Sequence, residues 1–147
     1  MGTILGNTPL LAALAATMLA QALKVVITLI AERRLALDRL LETGGMPSSH
    51  SAAVAALATS VGAIHGMGSP YFAIAAVLGS IVMYDATGIR RAAGKQAEMI
   101  NDLVKELNHL FDDGFQPQAL KTLLGHTYPQ VLVGGLVGLG TGLAFSL

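Results

Sequence analysis

Charged residues are missing from three long stretches of this chain and crowd into two islands between them. Lys24 is the sole charged residue from Met1 to Ala31, none occurs from Ser51 to Tyr84, and none from Thr127 to Leu147. The uncharged runs predict four hydrophobic helices, over roughly 7–31, 51–66, 71–89 and 130–147. The first and third have the roughly 20 residues a bilayer crossing needs. The second and fourth sit at the short limit and require a thin local bilayer, little tilt or shelter within an assembly. The pattern then changes. From Lys95 to Phe111 the apolar residues Ile100, Leu103, Val104, Leu107, Leu110 and Phe111 recur at helical spacing, with Glu98, Asp102, Lys105, Glu106 and Asn108 on the other side. This predicts an amphipathic helix over 95–111, suited to lying in a membrane interface, covering a site or pairing between subunits. The fold class expected is an all-α integral membrane bundle of about four hydrophobic helices plus a cytoplasmic-side amphipathic helix, in one domain over residues 1–147.

Composition agrees with that reading. Hydrophobic residues make up 53% of the 147 and charged residues 12%, with a mean hydropathy of +0.62. A soluble protein with buried helices is the alternative, but a chain this short has too little polar surface to dissolve these runs. Nine basic and nine acidic residues give a formal net charge of zero, which leaves no nucleic-acid footprint. Cysteine is absent, so disulfides and thiol catalysis are excluded. No basic residue precedes the first apolar run, so a cleaved secretory signal is not expected and the first helix is retained.

The islands set an orientation. Arg33, Arg34 and Arg39 lie between the first two helices, and Arg90, Arg91, Lys95, Lys105 and Lys121 between the last two, whereas the turn from Gly66 to Pro70 has no basic residue. Positive-inside reasoning puts both islands in the cytoplasm and both termini on the far side, in an inner or plasma membrane if the source is bacterial. Basic residues kept for phosphate would give the same asymmetry.

Three motifs carry candidate chemistry, all on that one face. The first is Thr43-Gly-Gly-Met-Pro-Ser-Ser-His-Ser-Ala52, which opens directly onto an apolar helix. Gly44 and Gly45 allow a close backbone approach, the first-turn amides of the helix point outward unpaired, and an anion such as phosphate is their natural occupant. Ser48 and Ser49 are then phosphate-binding candidates, and His50 adds a group that exchanges a proton near neutral pH. Simple helix capping by Ser48 or Ser49 is the competing explanation. The second motif is Tyr84-Asp-Ala-Thr-Gly-Ile-Arg-Arg-Ala-Ala-Gly-Lys-Gln96, at the expected end of the third helix. Asp85 near the membrane edge needs a partner such as Arg or His. Arg90 and Arg91 suit bidentate phosphate binding, but neighbouring helical positions diverge by about 100°, so one of them faces lipid headgroups instead.

The third motif, Leu124-Gly-His-Thr-Tyr-Pro-Gln-Val131, brings His126 to the entrance of the last helix. A capping box explains Thr127 and Gln130, and Pro129 fits a first turn, but neither explains His126. His65 belongs to the opposite turn and His109 to a helix surface, so both read as structural. Asp112 and Asp113 form a turn with Gly114; adjacent carboxylates do not make a metal-ligand set, and no metal or other cofactor is expected. Gly134, Gly138 and Gly142 repeat every fourth residue, a close-packing face for an internal contact or a homo-oligomer.

Together, Lys24 and these three motifs resemble the divergent branch of the type 2 phosphatidic acid phosphatase superfamily, related to acid phosphatases and vanadium haloperoxidases. The likeness spans essentially the whole chain. It implies a histidine nucleophile at His126, a general acid at His50, and phosphate ligands at Lys24 and Arg91, with Arg90 the other candidate. The chain departs from the wider superfamily in three places. Ser49 replaces the glycine of a Pro-Ser-Gly-His motif, the arginine-to-histidine spacing is stretched between Arg91 and His126, and Gln130 stands where an acidic residue would fix the nucleophile's tautomer. Asp85 is the candidate substitute. The implied activity is metal-independent hydrolysis of a lipid phosphate monoester or diphosphate, such as phosphatidate, phosphatidylglycerophosphate or a polyprenyl diphosphate, through a phosphohistidine. The alternatives are a catalytically silent membrane protein that binds a phosphorylated lipid or partner, and a structural or transport assembly built on the glycine face.

Overall fold

In the computed structural model the described residues are 3–33, 44–107, 118–122 and 124–147. They form a short 3-10 turn, Ile4–Gly6, and five helices: α1 (Thr8–Glu32), α2 (Ser49–His65), α3 (Pro70–Thr87), α4 (Ile89–Glu106) and α5 (Tyr128–Ser146). No strand occurs among the described residues, and three helical stretches, Thr8–Glu32, Pro70–Glu106 (α3 running on into α4) and Tyr128–Ser146, are each long and apolar enough to cross a membrane. The four hydrophobic helices fall within a few residues of the stretches the charge pattern marks. Local chemistry sets their starts: the Asn7 side chain accepts from Leu10 N at 3.1 Å, Ser48 Oγ from Ser51 N at 3.3 Å, and Ser69 Oγ from Phe72 N at 3.2 Å.

The amphipathic helix differs from expectation at its start. α3 stops at Thr87, Gly88 donates its N–H to Tyr84 O at 2.9 Å, and α4 begins at once with Ile89. Arg90 and Arg91 therefore belong to the first turn of α4 rather than to the region following a third helix that runs to residue 89. Arg34, Arg39, residues 108–111 of the amphipathic stretch and the Asp112-Asp113-Gly114 turn lie outside the described residues.

α2 is the centre of the bundle and packs against α1, α3 and α5. That resolves the shortness of its 17 residues, because the helix is sheltered by its neighbours. The packing uses almost no side-chain bulk. Ala12, Ala16 and Ala20 of α1 and Ala52 and Ala56 of α2 form the fully buried core, and Gly134, Gly138 and Gly142 of α5 are buried too. A Cβ at Gly134 would strike Ser48 O, one at Gly138 would strike Ala52 O, and one at Gly142 would sit 2.7 Å from Ala56 O. The glycine repeat is thus an internal contact with α2, so its three residues do not form an outward-facing oligomer surface. Small residues allow this approach, and dispersion and polar contacts then act where lipid removes the hydrophobic driving force. At the far end Ser146 Oγ lies 2.8 Å from both Ser60 Oγ and Gly142 O.

The contacts fix the directions. Gly134 meets Ser48, Gly142 meets Ala56, and Ser146 meets Ser60, so α2 and α5 run parallel. Gly79 meets Val54 and Gly62 meets Phe72, so α3 runs antiparallel to α2. One end of the bundle therefore gathers the C-termini of α1 and α3 with the N-termini of α2, α4 and α5.

Gly138→Leu is expected to destabilise the purified protein by about 3 kcal/mol, the upper range for overpacking. Gly140→Ala, on the same helix with nothing within 4 Å of a built Cβ, should be neutral or stabilising by up to roughly 1 kcal/mol. Thermal unfolding in detergent reads both, and equal loss in the two variants would contradict the packing described.

Candidate functional site

The alanine stripe of α1 delivers the first site residue. Ala12, Ala16 and Ala20 recur every fourth position, and Lys24 follows in the same register, 2% exposed. Its methylenes lie under the turn that leads into α2, 3.4–3.7 Å from where a Cβ on Gly45 would sit. Gly45 has φ +87°, so the turn itself favours glycine, whereas the space beside it would accept a methyl. Gly44 is buried beside it. Ser48 N donates to Gln130 O at 3.1 Å and ties this turn to the first turn of α5.

His126 is held from two sides. Its backbone N donates to Ala86 O at 2.8 Å, at the C-terminal end of α3. The preceding Gly125, at φ +78°, lies against the backbone of Arg90 and Arg91, where any Cβ would collide. The imidazole is thereby carried to the face of His50, with ring centroids 6.4 Å apart and planes at 70°.

Both histidines line one cavity of about 140 Å³, together with Asp85 and Arg90. Val82, Ala86, Leu124 and Gly125 complete its walls. Asp85 has the partner its position demands: Arg90 Nε donates to Asp85 Oδ2 at 2.6 Å across the α3–α4 junction. Residues close to the N-termini of three helices, His50 of α2, Arg90 of α4 and His126 just before α5, meet at this cavity. Helix N-termini and a guanidinium favour an anion there.

The other site candidates fall outside the cavity wall. Arg90 lines it and Arg91 does not, which reverses the preference drawn from the resemblance. The reason is the early start of α4, which points Arg90 back toward α3. Ser48 is fully buried, and its Oγ accepts from both Ser51 N and Ser51 Oγ, at 3.3 and 2.9 Å, so capping accounts for it. Ser49 is buried at the first position of α2 and, like Gly44 and Gly45, is not part of the lining. Lys24 lies behind the wall, close enough for its charge to act on His126. Asp85 shares the cavity with His126, yet its observed bond is to Arg90. Gln130 Oε1 accepts from Thr127 N at 2.9 Å and so caps α5 instead of orienting the imidazole. Both ring nitrogens of His126 are buried without a hydrogen-bond partner among the described residues. His65, at the far end of α2, stacks obliquely on Tyr71 with centroids 5.3 Å apart. Among the described residues no cluster of three or more metal-ligating side chains occurs. Gly125 is the site residue that sequence reasoning missed, although its place directly before His126 was visible.

Burial, and then the positive charge of His50, Lys24 and Arg90, lower the pKa of His126 to about 4. The ring is neutral at pH 7.

Comparison with known proteins places this architecture. The profile described as the Divergent PAP2 family matches residues 5–141. A protein of Bacillus subtilis (strain 168), described as "Uncharacterized membrane protein YuiD", is 47% identical over 145 aligned positions covering 92% of each chain. No solved structure matches. The chain belongs to the divergent PAP2 family and is an integral membrane protein.

The depressed pKa of His126 makes stability depend on pH in a defined direction. Between about pH 4 and the ordinary histidine value of 6.5 the unfolded chain binds a proton that the folded chain refuses, so stability falls as pH drops through that window. His126→Gln should flatten this slope in detergent melts at pH 4.5 to 7; an unchanged slope would place the titration elsewhere.

Proposed function

We propose that this member of the divergent PAP2 family hydrolyses the phosphate monoester or diphosphate of a membrane lipid through a phosphohistidine, at the cytoplasmic face. The observation that carries the reading is the pair His50 and His126 facing each other across a cavity that also holds Arg90. With ring centroids 6.4 Å apart on the lining of one cavity, both imidazoles stand within reach of a single phosphate group lodged there.

In the first step a neutral ring nitrogen of His126 attacks phosphorus in line, the ester P–O bond breaks, and protonated His50 gives its proton to the leaving alcohol. In the second step neutral His50 accepts a proton from water, the water oxygen attacks phosphorus, and the P–N bond breaks to release phosphate and regenerate His126. Arg90 stabilises the nonbridging oxygens as charge builds, and the charge of Lys24 acts on them from behind the cavity wall. Asp85 holds Arg90 toward the cavity. A site at the end of a membrane bundle suits an amphiphile whose headgroup reaches it while its chains stay in lipid. The basic islands support the cytoplasmic face.

A second reading is favoured by one feature. Among the described residues nothing hydrogen-bonds to the imidazole of His126: Gln130 caps α5 and Asp85 holds Arg90. A site so arranged would bind a phosphorylated lipid without turning it over.

Phosphate release from a panel of lipid phosphates, by reconstituted protein in the presence of chelator, separates the two. Hydrolysis is expected from the wild type, with at least a 100-fold loss in His126→Ala and in His50→Ala, while His126→Ala still binds the lipid. Binding without turnover by folded wild-type protein would establish the silent reading. Arg90→Ala should weaken substrate binding far more than Arg91→Ala, read as KM; the reverse order would contradict the assignment of Arg90. Gln130→Glu, which adds a second acceptor oxygen and a charge beside His126, should raise kcat and move the acidic limb of the pH profile upward. A variant with an unaltered profile would exclude position 130 from orienting the nucleophile.

A further inference from the structure

α4 differs in kind from the other helices. They are apolar nearly all round, whereas α4 is polar on average and sharply two-sided. At about 100° per residue its side chains sort into three faces. Arg90, Gly94, Ala97 and Asn101 share the face turned to the protein. Gly94 fits against Thr122 O and Leu124 O, at 2.7 and 2.9 Å from a built Cβ. Asn101 exchanges two 2.9 Å hydrogen bonds with the backbone of Leu120. A second face carries Arg91, Lys95 and Lys105 with Glu98, Asp102 and Glu106, three charges of each sign. The third is an arc of about 100° made by Ile89, Met99, Ile100, Leu103 and Leu107, with the uncharged Gln96 among them. The apolar residues are, in that order, 71%, 72%, 47%, 54% and 37% exposed, and no described element covers them.

We propose that α4 lies along the bilayer surface, with this apolar arc in the boundary between headgroups and acyl chains and the charged face toward water. Connectivity supports the lipid as occupant. Gly88 alone separates α4 from the membrane-spanning α3, so α4 begins where that span ends. Leu120, Thr122 and Leu124, which meet its inner face, stand a few residues before α5, a second span. α4 is therefore fastened at the end of the bundle where α3 stops and α5 starts. The charged face prevents α4 from crossing the membrane, and the apolar arc opposes its projection into water. Because the charges on the polar face balance, burial of the arc rather than attraction to anionic lipid holds the helix. The inference is independent of whether the cavity performs hydrolysis.

The chain has no cysteine, so single cysteines for spin labels can be placed at Glu98, Ile100, Asp102, Leu103 and Leu107, all exposed positions that should tolerate replacement. In phosphatidylcholine vesicles the labels at 100, 103 and 107 should be more accessible to oxygen than to a water-soluble nickel chelate, by severalfold. Labels at 98 and 102 should show the opposite order. Nickel accessibility at all five positions would overturn the proposal in favour of a helix standing in water. Shielding from both reagents at 100, 103 and 107, with spin–spin broadening between labels, would overturn it in favour of a second copy covering the arc.

Discussion

The approach of α2 to α5 at backbone contact is the constraint on which the rest of this molecule depends. Where Gly134, Gly138 and Gly142 meet the carbonyls of Ser48, Ala52 and Ala56, no side chain separates the two helices. Their relative position is set by hard main-chain atoms instead of adaptable rotamers. Since the two run parallel, the same contact fixes where their N-termini stand. His50, in the first turn of one, and His126, just ahead of the other, inherit their 6.4 Å separation from it. The stripe Ala12, Ala16, Ala20 does the corresponding work for α1, and Lys24 is buried because it is the next position in that register. A bundle built from small residues can thus hold a polar site rigidly while leaving bulky apolar side chains such as Met18, Ile74 and Leu132 on its outer surface.

Much of this was readable in the chain. Charge-free runs locate four helices because a membrane tolerates few charges, and small residues four apart locate a packing face. The motifs around His50 and His126 stand out because a histidine beside a helix start has no structural need to be there. Three things were hidden. The partner of the glycine face is a tertiary fact, so α2 and a second subunit were equally compatible with it. Which of Arg90 and Arg91 lines the cavity turned on where α3 ends, and Gly88 in an otherwise helical sequence marks that break only weakly. The alanine stripe of α1 was masked by its own composition, since alanine is common throughout the first helix.

The site also shows why a polar residue's identity says little until its hydrogen bonds are counted. Gln130 has one acceptor oxygen, and the Thr127 amide takes it. A carboxylate has two and carries charge, so it could cap the helix with one oxygen and accept from an imidazole with the other. Asp85 has that capacity in principle, but a guanidinium 2.6 Å away competes for it. Among the described residues, His126 is therefore enclosed by groups that lower its proton affinity and by none that hydrogen-bonds to its ring. Low proton affinity keeps an attacking nitrogen free at neutral pH, yet it also lowers that nitrogen's intrinsic nucleophilicity and leaves the developing imidazolium uncompensated.

Adjacent residues of α4 face the cavity and the outward apolar arc. Ile89 belongs to the outward apolar arc and Arg90, one position and about 100° further round, to the cavity. The inner face is fastened mainly through Gly94, Asn101 and the Asp85–Arg90 pair, a narrow attachment for a helix of 18 residues. A lipid surface on the outer side would hold Ile89 outward and Arg90 inward at once. The guanidinium at the anion site would then be positioned partly by the bilayer, and the same helix would bring the cavity mouth to the depth at which a lipid headgroup resides.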